Sequence, residues 1–319
     1  MKLYASVDLG GTAIKCALCR ENGDVVVGAS VPTHSHEGPH AVLVRIAELV
    51  LRLAKDAGAM PAALGMGCPG LVDLPNGVTK FFPNLPTNWR DVPAAATLCS
   101  ALGCPAYLLN DVRMATLGEL TFGHGRTART MAFFALGTGI GGGIAIDGKL
   151  RLGPLGAAGE LGHMTILPDG PRCGCGNRGC LETLASGPAL AAEGVRLLGT
   201  GLAPKLYELT GGDAAKVTTK TMAEAACAGD ARVEEAIVRA GEYLGIAAVN
   251  TIVCLHPDLI VLGGGVAGIG ELLFESVRRT IRERLGMIPA EGVEVKPSLL
   301  GERAGVIGGL VLAMRNGQV

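Results

Sequence analysis

Three thiols fall within eight residues in Cys173-Gly174-Cys175-Gly176-Asn177-Arg178-Gly179-Cys180, and His163 stands ten residues before the first of them. Glycines at 174, 176 and 179 wind this segment tightly enough for the sulfurs to share one face of a tetrahedron, with His163 at the fourth corner. A Cys₃His set leaves no open position, which is the pattern of a structural zinc site rather than a hydrolytic one. A chance grouping and a set of redox thiols are the two other readings. Glu160 precedes the histidine by three residues and Glu182 follows the last cysteine by two. Two carboxylates fixed by a metal loop make bidentate acceptors for vicinal hydroxyls; the bland reading is a pair of solvent-facing acids.

Asp8-Leu9-Gly10-Gly11-Thr12 closes a β-rich run. A glycine pair lets successive N–H groups point at an anion with no Cβ in the way. Asp8 beside it suits Mg²⁺, held directly or through the waters that this ion keeps. A plain Gly-Gly hairpin turn is the alternative. The spacing fits neither the Walker A loop nor the dinucleotide fingerprint. Gly137-Thr138-Gly139-Ile140-Gly141-Gly142-Gly143 is a second such loop, in the equivalent place in the second half of the chain. Together the two point to a polyphosphate clamped between two lobes. A third cluster, Gly263-Gly264-Gly265, ends an apolar run. It would admit a flat ligand such as a nucleoside at a strand's carboxyl end, or else serve close helix–strand packing. Asn110-Asp111 closes the short run Tyr107–Leu109. There an aspartate can take a proton from a substrate hydroxyl that the asparagine orients, or the pair can cap a helix over Val112–Glu119.

The elements that must position these residues are legible as periodicities. Leu3–Leu9, Ile14–Arg20 and Val25–Val31 are β-rich runs, the last two separated by the hairpin signal Asn22-Gly23-Asp24. Over Ala41–Asp56, Val42, Leu43, Ile46, Leu49, Val50 and Leu53 form one stripe opposite Arg45, Glu48, Arg52 and Lys55, the 3.6-residue period of an amphipathic helix. Leu64–Gly67 and Tyr107–Leu109 read as buried strands with a helix near Val92–Leu102 between them. Strands at Thr130–Leu136 and Gly143–Ile146 open a second series, followed by helix Val233–Leu255, strand Leu259–Leu262, helix Glu271–Leu285 and a Gly/Ala-rich helix, Ala304–Met314, suited to close packing. The two series imply an architectural duplication. The expected division is a small N-terminal lobe, 1–118, and a large lobe, 119–302, with a C-terminal helix over 303–317 crossing back onto the first.

Composition limits the classes open to the chain. Its 319 residues carry 28 basic and 29 acidic side chains, a formal net charge of −1. With 49% apolar and 18% charged residues it is no disordered chain, and with 3% aromatics and no positive field it is no nucleic-acid binder. Met131–Ile146 is broken by five glycines, and Tyr243–Leu255 is short and carries Asn250. A spanning helix needs about 20 apolar residues, so no membrane partner is expected. Asp8 interrupts any signal-peptide core, which implies a cytoplasmic protein with reduced thiols. Six of the seven cysteines outside the cluster (Cys16, Cys19, Cys68, Cys99, Cys104 and one of Cys227 and Cys254) read as small core residues in apolar contexts.

Asp8–Thr12, Asn110-Asp111, Gly137–Gly143, Glu160-Leu161-Gly162-His163 and Cys173–Glu182 together resemble the ROK (repressor, open reading frame, kinase) family, nearly end to end. The resemblance implies an actin-like, hexokinase-type α/β fold of two RNase-H-like lobes, with the zinc knuckle in the larger. It implies an ATP-dependent kinase that phosphorylates O6 of a hexose, glucose first, with N-acetylmannosamine, fructose or another hexose as alternatives. Its implied cofactors are ATP, Mg²⁺ and structural Zn²⁺, its partners a sugar and a nucleotide, and its assembly a homodimer or homotetramer. By position, Asp111 is similar to the catalytic base, and Asn84, Asn110, Glu160, His163 and Glu182, with Asp111, to the sugar-binding set. Asp8, Gly10, Gly11, Thr12, Lys15, Gly137, Thr138, Gly139, Gly264 and Gly265 fall to the nucleotide, and His163, Cys173, Cys175 and Cys180 to zinc. His163 would serve twice, one ring nitrogen on zinc and the other on a hydroxyl. The segments Gly67–Asp73 and Asn84-Leu85-Pro86 incline towards glucokinase members. One departure is Val112-Arg113 after Asn-Asp, where the family often has a small residue and then Asn; Arg113 would alter contacts near the phosphates or face solvent. A sugar-responsive repressor is the non-enzymatic alternative, but only seven residues precede Asp8, too few for a DNA-binding segment. An actin-type nucleotide module shares the two turns but has no use for the cysteine knuckle.

Overall fold

The computed structural model describes residues 2–82, 85–289 and 291–319. By its internal contacts the chain divides into two units, one of residues 1–128, 144–159 and 299–319, the other of 129–143 and 160–298. A single cut at 118 is therefore not what the structure has: a helix runs unbroken from Asp111 to Phe122 through that position.

In the first unit, β1 (Leu3–Leu9), β2 (Ala13–Arg20) and β3 (Val25–Pro32) form an antiparallel meander, followed by α1 (Pro39–Ala57), β4 (Leu64–Cys68), a small hairpin of β5 (Leu71–Asp73) and β6 (Val78–Phe81), α2 (Ala94–Leu102), β7 (Ala106–Asn110) and α3 (Asp111–Phe122). The sheet order is β3-β2-β1-β4-β7, with β4 and β7 parallel to β1. The six apolar stripe residues of α1 are all buried. Strand alternation sorts the rest. Leu3, Ala5, Val7 and Leu9 of β1 join Ile14, Cys16 and Leu18 of β2 in the core under α1 and α2. Tyr4 of β1, with Ala17 and Cys19 of β2, faces the other way, against Leu310 and Ala313.

The second series repeats this order. It comprises β8 (Thr130–Leu136), β9 (Ile140–Ile146), β10 (Lys149–Leu150), α4 (Glu182–Ala185), α5 (Gly187–Gly199), α6 (Pro204–Thr210), α7 (Thr219–Cys227), α8 (Ala231–Leu255), β11 (Leu259–Gly263), α9 (Glu271–Arg284) and β12 (Glu294–Pro297), and α10 (Ala304–Met314) ends the chain. Its sheet runs β10-β9-β8-β11-β12, the same three-meander-plus-two-parallel arrangement as the first. The expected duplication is thus explicit in the strand order. β9 begins at Ile140 rather than Gly143, so the glycine-rich loop is only a short turn, and Gly141–Gly143 are strand. α8 is long and apolar enough by length and mean hydropathy to qualify as a membrane span. Its first half nevertheless carries Arg232, Glu234, Glu235, Arg239 and Glu242, and it packs on α5, α7 and α9. Cysteines divide unevenly: Cys16, Cys19, Cys68 and Cys104 are buried, but Cys99, Cys227 and Cys254 are exposed, against the core reading.

α10 is almost wholly buried, against α3 and the β1–β4 face of the first sheet. Small residues permit this approach. A Cβ on Gly308 would lie 1.7 Å from the Met114 carbonyl oxygen of α3. We expect Gly308→Ala to lower the urea midpoint, at a cost of about 1–3 kcal/mol for forced overpacking. Gly305→Ala, whose added methyl would meet only Asp8 Oδ2 at 4.0 Å, should leave the midpoint unchanged or raise it.

Candidate active site

The first unit gathers its polar residues at the carboxyl ends of three adjacent parallel strands. Asp8 pairs in register with Gly67 of β4, Gly67 with Leu109 of β7, and Cys68 with Asn110. Burial raises the pKa of the Asp8 carboxyl, and Lys15, its register partner on β2, opposes that rise. Fully buried Cys68 has its thiol pushed well up, first by burial and then by the negative charges of Asp111 and Asp8. Both acids therefore act on the same point, at the carboxyl end of β4. Gly10 and Gly11 make the β1–β2 turn without positive φ. What Gly10 supplies is room, since a Cβ there would come within 3.0 Å of the Ala13 carbonyl oxygen. Thr33, at zero exposure, braces the turn by donating its Oγ1 to the Gly10 oxygen at 2.7 Å and its N–H to that of Thr12 at 2.9 Å. Arg45 of α1 in turn donates to the Thr33 carbonyl at 2.7 Å. Gly11, Thr12 and Lys15 are exposed.

Asn110 is the N-cap of α3. Its Oδ1 accepts from the N–H groups of Val112 at 3.1 Å and Arg113 at 3.2 Å, and from Arg113 Nη1 at 3.1 Å. Its Nδ2 donates to the Gly70 carbonyl at 3.3 Å. The capping alternative is realised, leaving one Nδ2 proton for a ligand. Asp111 is the first helical residue, half-buried, with Oδ1 accepting its neighbour's N–H at 2.9 Å. Arg113 is 2% exposed and so does not face solvent; it was not anticipated as a brace because charge alone says nothing of burial. Asn84 lies outside the described residues.

In the second unit, the turn Gly137–Gly139 joins β8 to β9, closed by Gly137 N–H to Gly139 O at 2.9 Å. Gly187 at the start of α5 donates to the Gly137 carbonyl at 2.9 Å. Ile140 donates its N–H to Glu182 Oε2 at 3.0 Å, so one carboxylate oxygen of Glu182 is already engaged in holding the turn. Gly162, in the Glu160–His163 segment, lies against the same place: a Cβ there would sit 1.7 Å from the Ile140 carbonyl oxygen. Leu161–His163 forms a single 3₁₀ turn. Gly263 pairs with Ala135, so the third glycine cluster leaves the sheet beside the second turn. Gly264 has φ +86°, and a Cβ on it would strike the Leu136 oxygen at 2.4 Å, whereas Gly265 faces open space. Close packing thus explains Gly264.

His163, Cys173, Cys175 and Cys180 place one ligand atom each within 4.8 Å of one another. Cys173 Sγ lies 3.6 Å from His163 Nδ1, and Cys175 Sγ 3.7 Å from Cys180 Sγ. A tetrahedron with Zn–S about 2.3 Å and Zn–N about 2.0 Å requires edges of roughly 3.5–3.8 Å, which these two separations meet. Cys173 N–H to Asn177 O at 2.8 Å and Leu181 N–H to Met164 O at 2.9 Å close the knuckle at both ends. Burial pushes the Cys180 thiol up to about 12 and raises Cys173, while the Asn177 N–H lowers exposed Cys175. A bound cation reverses that cost, because a coordinating thiol is deprotonated outright. Cys173 Sγ also stands 3.7 Å from Glu182 Oε1, so the knuckle and the glycine turn meet at one carboxylate.

Residues 4–316 match the model of the ROK family. Among curated relatives, the glucokinase of Thermotoga maritima is 35% identical over 95% of this chain and 94% of its own length. That of Halalkalibacterium halodurans is 35% identical over 96% and 93%. The N-acetylmannosamine kinase of Vibrio cholerae is also similar, at 30% identity over 90% and 93%. Among solved structures, the ROK family glucokinase from Streptomyces griseus in complex with glucose and AMPPNP is 32% identical with a TM-score of 0.84, over 98% of this chain and 99% of that one. With its duplicated sheet order, its paired glycine turns and a match over nearly its whole length, this chain belongs to the ROK family.

Proposed function

We propose that this protein is an ATP-dependent hexose kinase that transfers the γ-phosphoryl group to O6 of glucose. The observation that carries the reading is likeness to glucokinases at 32–35% identity along both full lengths, one of them holding glucose and AMPPNP. Asp111, half-buried at the head of α3, takes the hydroxyl proton as the oxygen attacks, a role worth about 10²–10⁴ in rate. Asn110 donates its free Nδ2 proton to the sugar. Glu160, His163 through Nε2, and Glu182 through Oε1 accept or share its other hydroxyls. Asn84 belongs to the same set by resemblance. N–H groups at Gly10–Thr12 and Gly137–Gly139, with Lys15, hold the nucleotide phosphates, and Gly264-Gly265 the nucleoside. Positioning and charge compensation supply most of the acceleration in such a transfer. Mg²⁺ at Asp8 would offset charge on the phosphates. Zn²⁺ at His163, Cys173, Cys175 and Cys180 would fix the fold of the knuckle without making bonds to substrate.

A coupled assay over glucose, mannose, fructose and N-acetylmannosamine, with ATP or polyphosphate as donor, tests this. Glucose with ATP should give the highest kcat/KM. ATP turnover that no hexose stimulates would sink the kinase reading, and a preference for N-acetylmannosamine would favour the activity of the Vibrio cholerae relative.

Asp111→Asn should keep the wild-type thermal midpoint and lose at least about 100-fold in kcat. Cys175→Ser is expected to lose zinc and glucose affinity together, and equal zinc by elemental analysis would remove the ligand assignment. Asp8→Asn should abolish transfer yet melt higher than wild type at neutral pH. Burial raises the Asp8 pKa, so its ionised form is disfavoured in the fold above that pKa. This penalty is absent below the unfolded-state value. The difference in midpoint should therefore shrink as pH falls towards about 4, and a difference that grows on acidification would contradict it.

A further inference from the structure

We infer that Arg113 is a positioning residue that ties the glycine-rich strap 153–159 to the start of the helix carrying Asn110 and Asp111. The inference rests on the kinase reading for its kinetic arm only. Arg113 is third in α3, where a cation opposes the helix dipole, and it is buried, where a charge is disfavoured. Its guanidinium nevertheless finds acceptors, three of them within the first unit. Nη1 donates to Asn110 Oδ1 at 3.1 Å, Nε to the Ala158 carbonyl at 3.0 Å and Nη2 to that of Ala157 at 3.5 Å. The same Asn110 oxygen caps the helix that begins with Asp111.

The strap needs such a hold. Between Gly153 and Gly159 the chain reads Gly-Pro-Leu-Gly-Ala-Ala-Gly, and Gly153, Leu155, Gly156 and Gly159 all take positive φ. Glycine-rich backbone of this kind has many conformations to lose, and a non-glycine at φ 53° is disfavoured in itself. Its own hydrogen bonds are short-range turns, apart from Ala158 N–H to Leu152 O. Fixing the Ala157 and Ala158 carbonyls therefore fixes the end of the strap, next to Gly159. A planar fork serves two successive carbonyls and an amide oxygen at once; an ammonium, a point charge, does not.

The test compares wild type, Arg113→Met and Arg113→Lys in the full chain. Hydrogen exchange is read over residues 153–163, and KM is measured separately for glucose and ATP. We expect faster exchange in this segment for the Met variant, a glucose KM raised about tenfold or more, and an ATP KM within about twofold of wild type, with Lys intermediate. Unchanged exchange overturns the inference whatever the kinetics. Faster exchange with unchanged glucose KM overturns the positioning role, as do equal rises in both KM values, which mark general loosening. Should the Met variant not fold, the Lys variant carries the same comparisons. A wild type that phosphorylates no hexose defeats the kinase reading instead, and the exchange arm alone then decides whether Arg113 holds the strap.

Discussion

The parallel ladder of β1, β4 and β7 is the constraint on which the first unit's chemistry rests. Asp8, Gly67 and Leu109 stand in one row of it, and Cys68 and Asn110 in the next. Because strand side chains alternate, a slip of one residue would turn Asp8 into the apolar core under α1 and bring Leu9 out in its place. That core is dense, with Leu9, Ile14, Met66 and Cys68 essentially buried, so the register is held by apolar burial rather than by the polar residues themselves. Fidelity at the strand ends is thus a by-product of packing several residues away.

The second unit reaches a comparable arrangement by different means. Its glycine turn is braced by Glu182, from the far end of the cysteine knuckle, where the first turn has Thr33. With one oxygen on the Ile140 N–H and the other near Cys173, it links the ligand cluster to the turn at the head of β9. Gly162 presses on the same residue from the other side. The knuckle and the turn are therefore joined directly by backbone and carboxylate contacts.

Arg113 adds a third type of constraint, between a helix start and a glycine-rich strap within the first unit. Read together with Glu182, it makes a consistent picture of how a chain with 49 glycines keeps its loops in place: charged side chains buried or half-buried at their edges satisfy backbone groups that the loops leave free. The kinase reading draws on both devices, since its sugar-binding set includes residues that follow the strap and residues that follow the knuckle.

Local pattern alone determined most elements. The strand Leu3–Leu9, the amphipathic face of α1, the helix Ala304–Met314 and the clustering of Cys173, Cys175 and Cys180 were all legible, because each depends on neighbours in sequence: alternation, a 3.6-residue stripe or closely spaced thiols. Tertiary structure decided what depends on partners distant in the chain. Gly141 and Gly142 became strand because the ladder of the second sheet overrides glycine's weak preference for it. Arg113 is buried, and Cys99, Cys227 and Cys254 are exposed, because burial is set by what packs opposite and not by the residue's own type. The counting of residues 144–159 in the first unit likewise follows from contacts between segments far apart in the chain, where residue pattern carries little signal.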